Sequence, residues 1–308
     1  MTLFISIIVI LAGAVLLVRL AEALSVPYPA FLALGGALLA VLPGGPSISL
    51  DPSLALVIFV APVLLYAAYD ASIRDLRDNR LAIILLVVVA VALTTAAVAY
   101  VFRLLVPGVP WAAAIALGAI VAPSDAAAAT AVLRQVSIPS RLLAILEGES
   151  LFNDASALLI FAVAVHLAQD GHATLGSLIA TYTASVIGSV ALDLGLARVI
   201  PYVRRLTDNT PAFIVMQFCY TFAIWVIAEK LNLSPILTIV AYGMALAHSW
   251  GGRSDPLVRL KSFAVWETVV FLANVLAFTL IGMQLAPLLA NLSPGQRWTF
   301  SSLGALFC

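Results

Sequence analysis

Six carboxylates fall away from the obvious polar breaks of an otherwise apolar chain: Asp125, Glu147, Glu149, Asp154, Asp193 and Glu267. Four of them lie in two consecutive apolar stretches. A charge placed in hydrocarbon costs several kcal/mol, so each is a functional candidate by default. A carboxylate in a partly dehydrated cavity has a raised pKa, so near neutral pH it exchanges a proton for a hard monovalent cation. One site cannot hold both at once. Combined with alternating access, that competition gives obligatory exchange across a membrane.

The first stretch places Pro123, Ser124 and Asp125 in the middle of a predicted helix. Proline removes a backbone donor and frees a carbonyl, so a break or kink is expected there. Broken helices expose half-helix ends and unwound carbonyls, the groups with which transporters hold ions near the midplane. Asp125 also suits an N-cap of the second half-helix, a use compatible with ion handling. The second stretch opens with Glu147, Glu149, Ser150, Asn153 and Asp154. At 100° per residue Glu147, Ser150 and Asp154 line one face, and Glu149, Asn153 and Ser156 a neighbouring one. Glu147 and Glu149 also suit the positive end of a helix dipole. Oxygen ligands from Asp154, Ser150 and the backbone near Ser124 suit sodium or lithium. Because Asn153 is neutral, one carboxylate fewer titrates than in an Asp-Asp pair, which predicts electroneutral one-for-one exchange.

The elements that must position these groups follow from composition. Of the 308 residues 63% are hydrophobic and 10% charged, against roughly a quarter charged in soluble proteins. Hydrocarbon about 30 Å thick requires roughly 20 apolar residues per helix. Ten such runs are predicted, at 3–20, 27–43, 53–69, 81–102, 111–133, 142–168, 174–197, 211–229, 233–249 and 263–289. They are continuous, which excludes a porin-like barrel of short alternating segments. The first lacks a basic n-region and a cleavage site, so it reads as a retained helix. The expected class is an all-α polytopic membrane protein, one transmembrane domain over 1–308.

Orientation follows from the basic residues. Twelve of the fifteen follow odd-numbered runs, including Arg74, Arg77 and Arg80 after the third; Arg103, Lys230 and Arg297 follow even-numbered ones. The N-terminus is therefore expected outside. Cys219 and Cys308 offer neither a disulfide framework nor metal-ligand spacing. The chain has no Walker-type loop, no dinucleotide fingerprint and no nucleic-acid-binding basic patch. The lipid bilayer is the expected partner, with no nucleotide, nucleic acid or cofactor.

The run Glu147-Gly-Glu-Ser-Leu-Phe-Asn-Asp154, preceded by Ser124-Asp125, resembles the sodium/proton exchanger branch of the cation:proton antiporter superfamily, prokaryotic type. Asp75-Leu-Arg-Asp-Asn-Arg80, Trp266-Glu267 and Phe278-Thr-Leu-Ile-Gly-Met-Gln284 extend the likeness in the same order. The resemblance implies an antiporter fold with a broken helix in its core. It makes Asp154 the proton and cation carrier beside Asn153, puts Ser124 and Asp125 in the unwound helix, and has Glu149 and Ser150 help coordinate the ion. Glu147 and Glu267 are accessory candidates, Glu267 with Asn274 at i+7. It also implies a homodimer, and the compact Ala-rich chain suggests a prokaryotic cell membrane.

Two departures stand out. Some relatives carry a glutamate about where this chain has Tyr66, and the family continues through further helices, one bearing an arginine near the carboxylates. The chain is therefore expected to be C-terminally truncated, with its second inverted repeat incomplete. Alternative readings are a cation channel, against which the absence of a carbonyl filter argues, and an inactive remnant of an antiporter. An intramembrane protease is disfavoured: Tyr69-Asp70 lacks a companion Gly-x-Gly-Asp, and no Gly-x-Ser-Gly appears.

Overall fold

The structure is a computed structural model that describes residues 2–24, 26–41, 51–123, 139–170, 183–192, 195–196, 210–250 and 256–290. Among the described residues there are helices and no strands. In chain order they are α1 (Thr2–Leu24), α2 (Tyr28–Val41), α3 (Pro52–Asp70), α4 (Ile73–Asp78) and α5 (Arg80–Leu105). There follow α6 (Trp111–Val121), α7 (Ser140–Asp170), α8 (Thr183–Leu192), α9 (Thr210–Lys230), α10 (Pro235–Trp250) and α11 (Pro256–Ala290). Within them Pro52–Asp70, Arg80–Leu105, Arg141–Ala168, Pro211–Lys230 and Leu257–Leu285 are long and apolar enough to cross a membrane. The protein is thus a multi-pass all-α membrane protein, as its composition required.

Most described ends lie within a few residues of the expected ones. The run expected over 111–133 is helical only to Val121, with 124–133 outside the described residues, and that expected from 174 is described from Thr183. Helix α11, expected from 263, starts at Pro256, so it continues through Arg259 and Lys261. Hydropathy marks where hydrocarbon ends; Leu, Arg and Lys are good helix formers and carry the hydrogen-bonded ladder past that level. The turns have local causes. Asp51 caps α3 by accepting from the Ser53 N–H at 2.9 Å and the Leu54 N–H at 3.3 Å, with Pro52 at the first helical position. Ser72 caps α4, and the Asn79 side chain donates to the Asp75 carbonyl at 2.9 Å between α4 and α5. Gly108 takes φ 96° between Pro107 and Pro110, and Asn232 takes φ 56° after α9, the left-handed conformation that ends helices.

The chain divides into two compact units. In the first, residues 1–63 and 262–308, α1, α2 and α11 bury Ala14, Val18, Leu32 and Val275 under Leu17, Tyr28 and Phe278. The Tyr28 and Phe271 rings stack obliquely with centroids 6.4 Å apart. Here α2 and α11 cross backbone to backbone: Gly36 lies against the Thr279 carbonyl and Gly282 against the Ala33 carbonyl. Small residues permit such an approach, which dispersion favours in lipid, where no hydrophobic effect drives helices together.

The second unit, residues 64–261, contains the carboxylate-bearing helix α7. It packs along α6 and also meets α4, α5 and α10. Helix α6 lies along α5 with Gly118 against the Thr95 backbone, and Ala114 and Ala119 are buried beside it. Arg103, in the last turn of α5, places its guanidinium 4.3 Å from the centroid of the Trp111 ring that opens α6. Together Gly118 and Trp111 fix the α5–α6 hairpin at both levels.

Candidate functional site

Glu147, Glu149, Ser150, Asn153 and Asp154 all stand on α7. The helix is brought in close where Gly148 meets the side chains of Leu76 and Ile83; a Cβ there would come 2.5 Å from Leu76 Cδ2 and 2.7 Å from Ile83 Cδ1. Gly148 thus sets how near the flanking glutamates stand to α4 and α5. Close by, Arg141 donates from Nε to the Asn79 Oδ1 at 3.0 Å, tying the start of α7 to the α4–α5 junction.

Of the two faces expected on α7, one is now anchored. Asn153 is 2% exposed, and its Nδ2 donates to the Glu149 Oε1 at 3.3 Å. This i, i+4 pair lies between Leu151 and Ala155, both buried. Glu147, Glu149 and Ser150 are half-buried, whereas Asp154 is on the exposed side of the helix. The structure therefore joins Asn153 to Glu149 and puts Asp154 next to that pair, one residue round the helix toward the open side.

Ser124 and Asp125 lie outside the described residues, as does Asp193. The approach to the expected break is described. Helix α6 ends at Val121, the Ala122 N–H makes a last 3.0 Å bond to the Gly118 carbonyl, and Pro123 has no N–H to continue the ladder. Glu267 is exposed on α11, in the other compact unit, beside the buried Trp266. His166 is exposed near the end of α7, and His172 lies outside the described residues.

One polar group escaped sequence reading. Thr95 is 5% exposed in the middle of α5, facing Gly118, and its Oγ1 has no hydrogen-bond partner among the described residues. A Thr-Thr pair inside an apolar run was its only sequence signal, a weak one because threonine is common in such helices. It lies about one turn from the place where α6 stops.

The profile of the family described as sodium/hydrogen exchanger, transmembrane, matches residues 6–308. An Escherichia coli protein named an uncharacterized Na(+)/H(+) exchanger, YjcE, is 33% identical over 272 residues, which cover 86% of this chain and 49% of that protein. A Bacillus pumilus protein named a sodium, potassium, lithium and rubidium/H(+) antiporter is 31% identical over 81% of this chain and 38% of its own length. The chain spans about half or less of the length of these relatives. The solved structure of the sodium proton antiporter MjNhaP1 from Methanocaldococcus jannaschii at pH 8 superposes with a TM-score of 0.74. It covers 92% of this chain and 71% of that one at 19% identity, a likeness of fold.

Proposed function

The chain belongs to the sodium/hydrogen exchanger transmembrane family, and from that premise we propose that it exchanges sodium or another monovalent cation for protons across a cell membrane. The observation that carries this reading is the α7 cluster: a buried Asn153 bonded to Glu149, with Asp154 adjacent on the open side. An amide clamped by a carboxylate holds the local helix rigid and keeps a neutral polar group where a second charge would be costly. The neighbouring Asp154 is then the group that changes hands between proton and cation. Ser150, one turn earlier, supplies a hydroxyl oxygen, and Ser124 with freed carbonyls near Pro123 supplies others. Asp125 caps or polarises the second half-helix, Glu149 orients Asn153, and Glu147 and Glu267 are accessory.

In this cycle the deprotonated Asp154 binds a dehydrated cation. Reorientation exposes it to the other side, where a proton displaces it and travels back. With one titrating carboxylate per cation the exchange is one for one and electroneutral. No resident cofactor is needed, since the cation is cargo. The name of the Bacillus pumilus relative supports a cation range wider than sodium. The basic connections after the odd-numbered runs support an outside N-terminus, and a homodimer is the assembly we expect.

The test is reconstitution of the chain into proteoliposomes holding a pH dye, with sodium, lithium or potassium added outside. The reading predicts cation-driven proton release, abolished by Asp154→Asn at equal protein density and insensitive to a clamped membrane potential. Release that survives the substitution removes Asp154 from its position as carrier. Well-folded wild-type chain without any release refutes antiport by this chain, and a current without proton movement identifies a channel.

A further inference from the structure

A recess of about 430 Å³ opens in the second unit where α4, α5, α7 and α10 meet, away from the Asp154 side of α7. Its walls are apolar except for Ser156 of α7: Ile83, Ile84, Val87 and Val88 from α5, Phe152 from α7 and Met244 from α10 are among the side chains that line it. Arg77, from the last turn of α4, and Arg80, from the first turn of α5, contribute their side chains to the lining as well. Both are exposed, and the described residues supply no ion pair to either.

We propose that this recess binds one anionic phospholipid, with its phosphate on Arg77 and Arg80 and an acyl chain lying along α5. Three observations converge on that occupant. Two arginines stand together with no ion pair among the described residues, although Asp75 and Asp78 share their connection; guanidiniums match the oxygens of a phosphodiester, and an anionic headgroup brings no ammonium of its own to be repelled by them, as a zwitterionic one does. The cavity continues from those charges into a purely hydrocarbon lining over Ile83 to Val88, so the ligand must be an amphiphile with its charge at one end. From Arg80 to Val88 the helix rises about 12 Å, a length that takes up a large part of one acyl chain within a single leaflet. Finally, the recess is open on the lipid side: Ile84 and Val88 are 58% and 59% exposed. A lipid can therefore enter laterally with no helix moved aside. A merely topological use for the basic connection would be met by Arg74, Arg77 and Arg80 on any surface and would require no recess. Basic pockets between helices at the membrane face are a known physical solution to headgroup binding.

The site lies beside the start of α7. Leu76 lines the recess and also packs on Gly148, between the two glutamates. A bound lipid would thus brace α4 against α7. The proposal does not rest on the antiport reading, because lipid retention is measured on the protein alone.

The purified chain is analysed by native mass spectrometry after equilibration with phosphatidylglycerol or phosphatidylcholine. Phosphatidylglycerol is expected to stay bound where phosphatidylcholine is lost. The double substitution Arg77→Gln, Arg80→Gln is expected to weaken its retention roughly 25-fold, about fivefold per arginine near a charged membrane surface. Arg74→Gln, on the same connection but outside the recess, is expected to change little. Equal retention of the two lipids, equal loss in Arg74→Gln, or displacement by inorganic phosphate would each overturn the proposal. If the double variant does not retain its helicity, the wild-type chain decides: in bilayers doped with phosphatidylglycerol carrying a photoactivatable acyl chain, label belongs on peptides containing Val87, Val88, Phe152 or Met244. Label confined to other peptides counts against the site.

Discussion

Gly118→Ala tests whether the end of α6 is held in place by backbone contact with α5. A Cβ at Gly118 would run into the Thr95 carbonyl oxygen and come 3.0 Å from its Cα and 3.1 Å from its carbonyl carbon. These are backbone atoms of a helix, so no rotamer change relieves them. Carbon atoms pack best at about 3.5–4.0 Å, so α5 would have to retreat by roughly half an ångström or more. Overpacking of this kind costs about 1–3 kcal/mol, and the gain in helix propensity from Gly to Ala returns about 1 kcal/mol. The net is a destabilisation of up to about 2 kcal/mol, which for a chain of this size lowers Tm by a few degrees at about 2 °C per kcal/mol. The matched control is Gly13→Ala on α1, where nothing lies within 4 Å of the new Cβ. There only the propensity gain acts, so Tm should hold or rise. Thermal unfolding of the detergent-purified proteins, followed by fluorescence-detected size exclusion, separates the two. A Gly118→Ala protein that melts at or above wild type, or a Gly13→Ala protein that falls as far, would refute the claim that contact positions α6. Where stability does fall, cation-driven proton release should fall more than the amount of folded protein, because the displaced residues lie one turn from Pro123.

Asn153→Ala removes a side chain that is 2% exposed together with its hydrogen bond to the Glu149 carboxylate; a loss of about 1–3 kcal/mol is expected, read as a lower Tm, and an unchanged Tm would mean that the 3.3 Å bond contributes nothing. Asp51→Ala deletes the acceptor for the Ser53 and Leu54 N–H groups, with a cost of about 1 kcal/mol; hydrogen exchange at those two amides should quicken selectively, and protection unchanged there would exclude the cap. Arg103→Ala removes the cation over Trp111 at a cost of about 0.5–1 kcal/mol; Arg103→Lys should recover part of the Tm loss, whereas equal loss in both would point to packing of the arginine stem rather than its charge.

The helices were legible because hydrocarbon leaves no other way to satisfy backbone N–H and C=O groups, so a long apolar run in lipid has few alternatives to a helix. That argument fixes where the apolar surface ends rather than where hydrogen bonding ends. It therefore placed α3 at 53–69 against Pro52–Asp70, yet began α11 seven residues late, missing the turns that carry Arg259 and Lys261. The chemistry-bearing positions were legible for a related reason. Glu149 and Asp154 are expensive inside a membrane span, so their presence there is itself information.

The direction in which those groups face was much less legible. Helical periodicity separates Glu147, Ser150 and Asp154 from Glu149, Asn153 and Ser156, but it is blind to which sector meets a neighbour. That choice is made by Gly148 against Leu76 and Ile83, and by the alignment of α6 along α7, contacts between residues 72 and 65 positions apart in the case of Gly148. As a result Asn153, which sequence reading treated as companion to Asp154, is the buried member of the pair, and Asp154 is the exposed one. The same blindness hid the recess at Arg77 and Arg80, whose walls come from α4, α5, α7 and α10. Charges announce themselves in an apolar sequence because their cost is local. The glycines and alanines that aim them are unremarkable one at a time, and their effect is set by a partner helix far along the chain. A substitution series at Gly118 and Gly148 therefore probes the step between having the right carboxylate and presenting it, which no survey of acidic residues alone can reach.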